Sequence, residues 1–352
     1  MSSIAWRPDI LDGFSCTDLP LPVELLDPTE TSTSIGAVLV RRDRARPVPD
    51  WAAPPQGPIQ EASGGWSTGE GPTAGTSRRP AVLYVHGWSD YFFQKHLGDF
   101  WAGLGHDFYA VDLRRYGRAL RQGQLLGYIT DLADYSREID AAVAVMHADG
   151  HDELVLMAHS TGGLTGALYA DTHPGVFSAV VLNSPWLALS GNTVLSQMVS
   201  LLVAGAGKMA PTAVIRMSDP GFYRRSVLKA EGGEWNFDPS WKSSPQAQIR
   251  LGWGRAIVRG HERVAAGLHI DAPVLVLCSQ RSYAGTTWAE EMTRADIVLD
   301  ASAIAHRAVD LGRLVTVARI TDGLHDLALS PEPVRREFFR TVGTWVASYC
   351  GL

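Results

Sequence analysis

The sequence predicts a doubly wound α/β fold with a mostly parallel sheet and an inserted helical cap. Short runs rich in Val, Leu and aromatic residues are almost continuously apolar, as expected for strands covered on both faces. Helical patterns alternate with these runs, which is typical of a sheet with helices on both sides. One long segment between two apolar strands exceeds any simple crossover connection, and it therefore indicates an insertion.

Seven apolar runs account for the sheet, and three helical patterns account for its crossovers. The predicted strands are Gly36–Arg42, Ala81–Val85, Asp107–Asp112, Glu153–Ala158, Ala179–Asn183, Pro273–Cys278 and Leu314–Ile320. The predicted helices are Asp131–Ala148, Leu164–Asp171 and Glu332–Tyr349. In the first and last of these, apolar residues recur near the helical period, which indicates one face turned towards a core.

Two segments interrupt the alternation. The stretch Arg46–Pro80 is dense in Gly, Pro and Ser and has no periodicity, so we expect a flexible surface loop. Residues 186–270 are expected to form the cap, with helical stretches at Val194–Val203 and Ala247–Val258. The predicted division is therefore a core made of residues 1–185 and 271–352, with the cap between them. Apolar cap residues expected to line a pocket are Trp186, Leu187, Leu189, Leu195, Met198, Leu201, Leu202, Met209, Trp235 and Phe237.

Composition excludes several classes of protein. The 352 residues are 45% apolar and 19% charged, which is typical of a soluble globular chain. A net charge of -6 with no long basic run argues against a nucleic-acid partner. The three cysteines have no motif spacing, so free thiols are expected rather than a disulfide framework or a zinc site.

The amino terminus has no basic start followed by an apolar run, so no signal peptide is predicted. The most apolar stretch, Val194–Ala206, is too short to span a bilayer. We therefore expect a cytoplasmic protein without stable membrane insertion. The sequence does not indicate an oligomeric state.

Ser160 is the candidate nucleophile. The run Glu153–Ala158 leads directly into His-Ser-Thr-Gly-Gly, and a helical pattern follows at once. A sharp strand-to-helix turn lifts a serine hydroxyl clear of the sheet and tolerates only small residues two places on either side, here Ala158 and Gly162. The amino terminus of the helix adds backbone N–H groups and a positive dipole end, which favour a developing negative charge.

A second strand, Ala81–Val85, ends in His-Gly-Trp and supplies the candidate oxyanion hole. In such a site one backbone N–H comes from the loop after an earlier strand and the other from the residue after the nucleophile. This assigns the N–H groups of Trp88 and Thr161. His86 lies just before the turn, where a structural hydrogen-bonding role is expected rather than a catalytic one.

Acyl transfer by serine needs a histidine base and a carboxylate that orients it, in the chain order Ser, acid, His. His325 follows the last predicted strand on a Gly-containing loop and fits both the order and the position. The acid should follow Pro273–Cys278, but no acidic residue does so directly. Asp296 and Asp300 are the first plausible groups, since Glu290 and Glu291 are typical of a solvated helical face.

Together these segments resemble the α/β-hydrolase superfamily, and more closely its serine aminopeptidase-like (Hydrolase_4) branch, which includes monoacylglycerol lipases and lysophospholipases. The segments that carry the resemblance are Val85–Trp88, Asp112–Arg118, His159–Gly163, Asn183–Pro185, Ala295–Leu299 and Gly323–His325. The resemblance covers roughly residues 80–350. It departs from the family where Ala158 replaces a glycine and where 280–294 lengthen the acid loop. Because Ala-Asp-x-Val-Leu is similar to the family's acid-loop pattern, the resemblance implies Asp296 as the acid.

The resemblance and the residues together predict a serine hydrolase that cleaves carboxylic esters of hydrophobic acyl groups through an acyl-enzyme. No metal or organic cofactor is expected, and the predicted partner is a small hydrophobic ester. The same triad could act instead on a lactone, an amide or a C–C bond. A non-catalytic binding protein on this fold is the third alternative, and the complete set of candidate residues argues against it.

Overall fold

The computed structural model describes residues 4–52, 79–189, 205–215, 220–242 and 248–349. Its largest feature is a nine-stranded sheet with the strand order β1-β2-β3-β5-β4-β6-β7-β10-β11. The strands are β1 Arg7–Pro8, β2 Phe14–Pro20, β3 Gly36–Arg42, β4 Ala81–Val85, β5 Asp107–Asp112, β6 Leu154–His159, β7 Ala179–Asn183, β10 Val274–Ser279 and β11 Val315–Ile320. Two short strands, β8 Val214–Ile215 and β9 Ile249–Arg250, pair with each other outside this sheet.

The sheet is parallel from β5 to β11 and antiparallel from β1 to β3. Parallel strands end at the same edge of a sheet, so the loops after β4, β6, β10 and β11 open at one edge. These four loops carry the residues singled out above as candidates for catalysis. Alternation of strands with helices on both faces confirms the predicted doubly wound α/β fold.

Seven helices lie wholly within the described residues. They are α1 Lys95–Gly103, α2 Ser136–Ala148, α3 Thr161–Thr172, α4 Phe222–Val227, α5 Leu251–Ala265, α6 Ala301–Arg307 and α7 Glu332–Tyr349. Apolar residues pack on both faces of the sheet: one cluster includes Leu83, Ile139 and Leu164, and the other Tyr84, Trp101 and Phe338. Because both faces are covered, the central strands are apolar along nearly their whole length.

Most predicted boundaries agree with the structure to within a few residues. Four of the seven predicted strands and the last helix have the predicted bounds, and the other three strands are displaced by one residue at one or both ends. Two helices of the core differ more. The helix predicted from Leu164 begins at Thr161, and the one predicted from Asp131 begins at Ser136 after a 3₁₀ turn at Leu132–Tyr135.

Several elements were not predicted. Strand β2, which pairs with the two-residue edge strand β1, has alternating rather than continuous apolar residues, because one of its faces is partly solvated. Helix α1 contains Gly98 and a buried Asp99, which break the apolar pattern of a helix. The carboxylate of Asp99 is paired with Arg42 and Arg46, each at 2.8 Å, and these buried ion pairs explain how a charge is tolerated there.

The two irregular segments are described only in part. Residues 46–52 include a 3₁₀ turn at Asp50–Ala52, and the rest of the predicted loop up to residue 78 lies outside the described residues. The predicted helix Val194–Val203 also lies outside them. The helix predicted at Ala247–Val258 is observed as α5, but it begins at Leu251 and continues to Ala265. It packs against α3 through Gly260. We call residues 186–270 the cap segment below.

Candidate active site

Ser160 lies at the turn between β6 and α3. Its backbone has φ 55° and ψ -119°, a conformation that is strained for a residue with a side chain. The turn is held by hydrogen bonds on both sides, because the Ser160 N–H donates to Asn183 O at 3.1 Å and Trp186 N–H donates to Ser160 O at 3.0 Å. This geometry directs the serine side chain away from the sheet at the amino terminus of α3.

Close packing explains the small residues around Ser160. A Cβ atom on Gly162 would lie 2.2 Å from His86 O, and one on Gly163 would lie 2.7 Å from Pro185 Cβ. Only glycine therefore allows α3 to start so close to the neighbouring loops. The methyl group of Ala158, where the family usually has glycine, faces Gly166, whose own missing side chain provides the space.

The structure brings Ser160, His325 and Asp296 into one hydrogen-bonded chain. His325 Nε2 lies 2.9 Å from Ser160 Oγ, and His325 Nδ1 lies 2.9 Å from Asp296 Oδ2. All three side chains are buried. Since both ring nitrogens have a partner, the imidazole is fixed in orientation, with Nδ1–H directed to the carboxylate and Nε2 free to accept from the serine hydroxyl.

Asp296 is held by its own loop as well as by His325. Its Oδ1 accepts hydrogen bonds from the N–H groups of Val298 and Leu299, each at 2.8 Å. The loop is anchored to the end of β10, where the Asp296 N–H donates to Arg281 O at 3.0 Å. Residues 280–294 therefore lengthen the loop without displacing the carboxylate from His325.

Asp300, the alternative acid, lies elsewhere. Its Oδ1 accepts from the N–H groups of Ser302 at 2.9 Å and Ala303 at 3.1 Å, so Asp300 is the N-cap of α6. These contacts give its carboxylate a structural role. The distances therefore favour Asp296 as the partner of His325.

The loop that carries His325 is anchored by two buried polar residues that sequence reasoning did not single out for this role. Asp326 Oδ1 accepts from Asn183 Nδ2 at 2.7 Å and from Ala328 N–H at 3.0 Å, and its Oδ2 accepts from Gln94 at 3.2 Å. Asn183 Oδ1 in turn accepts from Leu327 N–H at 3.2 Å. The only signal in the sequence was Asn183 at the end of a strand and Asp326 beside His325.

Burial alone would raise the pKa of the Asp326 carboxyl, yet its pKa lies below the ordinary value. His159 and Lys242 lie near it, and the amide donors bind its charged form. Burial lowers the pKa of His159, so that ring is neutral at pH 7 and Lys242 supplies the stabilising charge. A second carboxylate thus stays ionised next to the candidate base without contacting it.

The loop after β4 passes directly over Ser160. A Cβ atom on Gly87 would lie 3.0 Å from Ser160 Cβ, so the backbone that leads into Trp88 is close to the serine. His86 is fixed beneath it, because its Nε2 accepts from Leu113 N–H at 3.1 Å and its Nδ1 lies 2.8 Å from Gly87 O. These bonds agree with the structural role predicted for His86. The structure therefore places Gly87, the residue before Trp88, against Ser160, and Thr161 follows Ser160 at the start of α3.

Trp88, Trp186 and Trp253 pack together in what we call the tryptophan cluster. The ring centroids of Trp88 and Trp253 are 4.1 Å apart, and those of Trp186 and Trp253 are 5.9 Å apart. Of the cap residues expected to line a pocket, Leu187 is buried. Met209 is exposed, so the prediction that it lines a pocket is wrong. Trp235 and Phe237 pack on His96 and Phe93. Four of the predicted pocket residues, Leu195, Met198, Leu201 and Leu202, lie outside the described residues.

The described part of the chain has neither a candidate metal site nor a membrane-spanning helix. No group of three or more His, Cys, Asp or Glu side chains there is arranged to hold a metal ion. No described helix is both long and apolar enough to cross a membrane.

Comparison with known proteins agrees with this architecture. A curated monoacylglycerol lipase from Mycolicibacterium smegmatis (strain ATCC 700084 / mc(2)155) is 28% identical over 214 residues, which are 58% of this chain and 71% of the relative. The crystal structure of Paleococcus ferrophilus monoacylglycerol lipase matches with a TM-score of 0.56 at 22% identity, covering 76% of this chain and 94% of that one. A soluble variant of Saccharomyces cerevisiae monoglyceride lipase, in complex with a substrate analog, matches with a TM-score of 0.55 at 13% identity, covering 99% and 96%. At these identities the two structures show a shared fold.

A family model gives the more specific result. The model described as serine aminopeptidase, S33 (Hydrolase_4) matches residues 76–282, more than half of the chain. The match includes the loop after β4 and the turn at Ser160, and it ends before Asp296 and His325. The chain therefore belongs to the serine aminopeptidase, S33 (Hydrolase_4) family of α/β-hydrolase enzymes.

Proposed function

We propose that this protein is a serine hydrolase that cleaves carboxylic esters of hydrophobic acyl groups. The observation that carries the proposal is the hydrogen-bonded chain from Asp296 through His325 to Ser160, with 2.9 Å at each contact to the imidazole. A serine hydroxyl is a weak nucleophile until an adjacent base takes its proton, and the base needs a carboxylate to orient it. The two contacts support Ser160 as the nucleophile, His325 as its base and Asp296 as the orienting carboxylate.

In the proposed mechanism, His325 Nε2 takes the proton of Ser160 as Oγ attacks the ester carbonyl. Asp296 keeps the imidazole in the correct tautomer and stabilises its protonated form. The backbone N–H groups of Trp88 and Thr161 bind the oxyanion. The imidazolium then protonates the leaving alcohol, and a water molecule activated by His325 hydrolyses the acyl-enzyme.

The tryptophan cluster supports a hydrophobic substrate. The Trp186 N–H donates to Ser160 O, Trp88 follows Gly87 above the serine, and both rings pack on Trp253. Apolar walls with few polar groups are typical of sites for acyl chains. The relative from Mycolicibacterium smegmatis is named a monoacylglycerol lipase. A monoacylglycerol or a lysophospholipid is therefore the proposed class of substrate.

A series of p-nitrophenyl esters from acetyl to palmitoyl tests the proposal, together with monoacylglycerol and lysophospholipid. We expect turnover that rises from acetyl to medium or long chains and is lost in Ser160→Ala. If Ser160 reacts with a fluorophosphonate while no ester is turned over, the ester proposal fails. In that case the same series repeated with amides and lactones distinguishes the alternatives.

A further inference from the structure

A buried ion pair joins the cap segment to the loop that follows β4. Lys242 Nζ lies 2.8 Å from Asp90 Oδ1, and the two side chains are only 11% and 2% exposed. Asp90 lies two residues after Trp88, in the loop proposed to supply an oxyanion N–H. Lys242 belongs to the cap segment, so one contact connects the two parts.

The Lys242–Asp90 pair lies among aromatic side chains. Three aromatic rings surround the ammonium group of Lys242, those of Phe93, Tyr223 and Phe237, at 5.6 to 5.9 Å. Tyr223 also faces the imidazole of His325, with ring centroids 5.7 Å apart. Lys242 therefore lies between the loop after β4 and the candidate base, and its charge is largely withheld from water.

The contacts of Asp90 depend strongly on Lys242. Besides Lys242, its Oδ1 accepts from Tyr91 N–H at 2.9 Å, while its Oδ2 is buried with no partner among the described residues. A buried carboxylate without a compensating cation is costly, so this position is stable only while Lys242 is present. The contact with Lys242 of the cap segment thus holds the carboxylate of Asp90 in place.

Trp88 lies in the chain midway between two residues that anchor its loop, His86 and Asp90. On one side His86 accepts from Leu113 N–H in the core of the fold. On the other side Asp90 is held by Lys242 of the cap segment, and Ser89 between them has φ 49°, a conformation that a free loop seldom keeps. The first anchor belongs to the core of the fold, and the second joins the loop to Lys242 of the cap segment.

We propose that Lys242 is a positioning residue that sets the oxyanion loop, residues 86–90, through Asp90. This rests on the proposed function, because it assigns the Trp88 N–H to the oxyanion. Electrostatic stabilisation of this kind depends on donors held in advance at the correct distance, and a small displacement reduces it. The Trp88 N–H is then held in place by Lys242 on one side and by the core of the fold on the other.

The test compares Lys242→Met, Lys242→Arg, Asp90→Asn and the double variant Lys242→Met/Asp90→Asn. We expect Lys242→Met to lower kcat by about tenfold or more with little change in KM, because transition-state stabilisation is lost. Asp90→Asn leaves the charge of Lys242 beside Asp326 and should lower kcat to a similar extent. Its melting temperature should also fall, since Asp90 keeps an unpaired buried charge. Lys242→Arg should restore most of kcat.

The double variant separates positioning from simple stability. With both charges removed, the melting temperature should recover towards that of the wild type, while kcat stays low because the loop is no longer held. A double variant in which kcat recovers together with the melting temperature would overturn the proposal. Glu234→Gln is the matched control, since it breaks another ion pair between the cap segment and the core, Arg335–Glu234 at 2.6 Å, away from the oxyanion loop.

Two measurements keep this proposal distinct from the proposed function. Fluorophosphonate labelling of Ser160 in the wild type tests the function itself, so absence of labelling means that the function has failed. Amide hydrogen exchange of Trp88 and Ser89 does not depend on turnover and should be faster in Lys242→Met than in Glu234→Gln. Equal exchange in the two variants contradicts the positioning role.

Discussion

The imidazole Nε2 of His325 lies 2.9 Å from the hydroxyl oxygen of Ser160, although 165 positions separate the two residues in the chain. The parallel sheet brings them together, because β6 and β11 end at the same edge. The other ring nitrogen has Asp296 at 2.9 Å. The histidine is therefore oriented for proton transfer by contacts from two different loops.

Asp296→Asn should abolish most activity with the fold intact. An amide at this position favours the wrong tautomer of the base, and in serine hydrolases this change lowers kcat by about four orders of magnitude. Asp300→Asn is the matched control, since asparagine caps a helix as well as aspartate does. We expect kcat of the control within about twofold of the wild type. A larger loss in Asp300→Asn than in Asp296→Asn would contradict the assignment of the acid.

Gly87→Ala should impair the chemical step. The added methyl group would lie 3.0 Å from Ser160 Cβ and 3.3 Å from His159 Cδ2, so the loop and the nucleophile must move apart by a few tenths of an ångström. Displacements near 1 Å can cost about a hundredfold, so we expect a loss in kcat of about tenfold. Gly205→Ala, where the methyl group meets no atom within 4 Å, serves as the control. An unchanged kcat in Gly87→Ala would show that this contact is not critical.

The buried pair between Arg114 and Glu138 should be important for stability. Both side chains are almost completely buried, so Glu138→Gln leaves an uncompensated guanidinium in the core. Losses from breaking such pairs are about 3–5 kcal/mol in the free energy of unfolding. The exposed pair Arg336–Glu332 provides the comparison, and Glu332→Gln should change stability by about 0.5 kcal/mol or less. Urea denaturation measures both, and equal effects would contradict the argument from burial.

Lowering the pH should destabilise the protein, because His261 takes up a proton more readily in the unfolded chain than in the folded one. Burial lowers the pKa of this histidine from 6.5 to about 4, so the unfolded chain takes up a proton in that range that the folded chain does not. The stability contribution is therefore complete above about pH 6.5 and is lost as the pH falls towards 4, by at most about 3 kcal/mol. His261→Gln keeps a donor for Trp186 O and does not titrate, so its stability should depend less on pH. His306→Gln changes an exposed histidine and should keep the slope of the wild type.

Much of this site could be predicted from local patterns. Ser160 and His325 each follow an apolar strand on a short loop with glycine, and the sheet determines at which edge those loops lie. The nearly continuous apolar runs identified the parallel strands for the same reason, since both of their faces are covered. These features depend on neighbours in the sequence, which is why they could be recognised there.

Contacts between distant loops could not be predicted in the same way. Asp296 and Asp300 both lie near an apolar triplet, and only the folded loop shows that one faces His325 while the other caps α6. The pairing of Asp90 with Lys242 and of Asp326 with Asn183 has no local signal, because single charged or amide residues are common on surfaces. Burial gives them their role, and burial is a property of the whole fold.

The most direct test of the proposed function is the site of covalent labelling by a fluorophosphonate. Mass spectrometry of the digested wild-type protein should find the added phosphonyl group on the peptide that contains Ser160, with one group per chain. Ser160→Ala should not be labelled, while Ser184→Ala, which removes another buried hydroxyl, should be labelled like the wild type. Label on a different residue, or labelling that persists in Ser160→Ala, would contradict the assignment of the nucleophile.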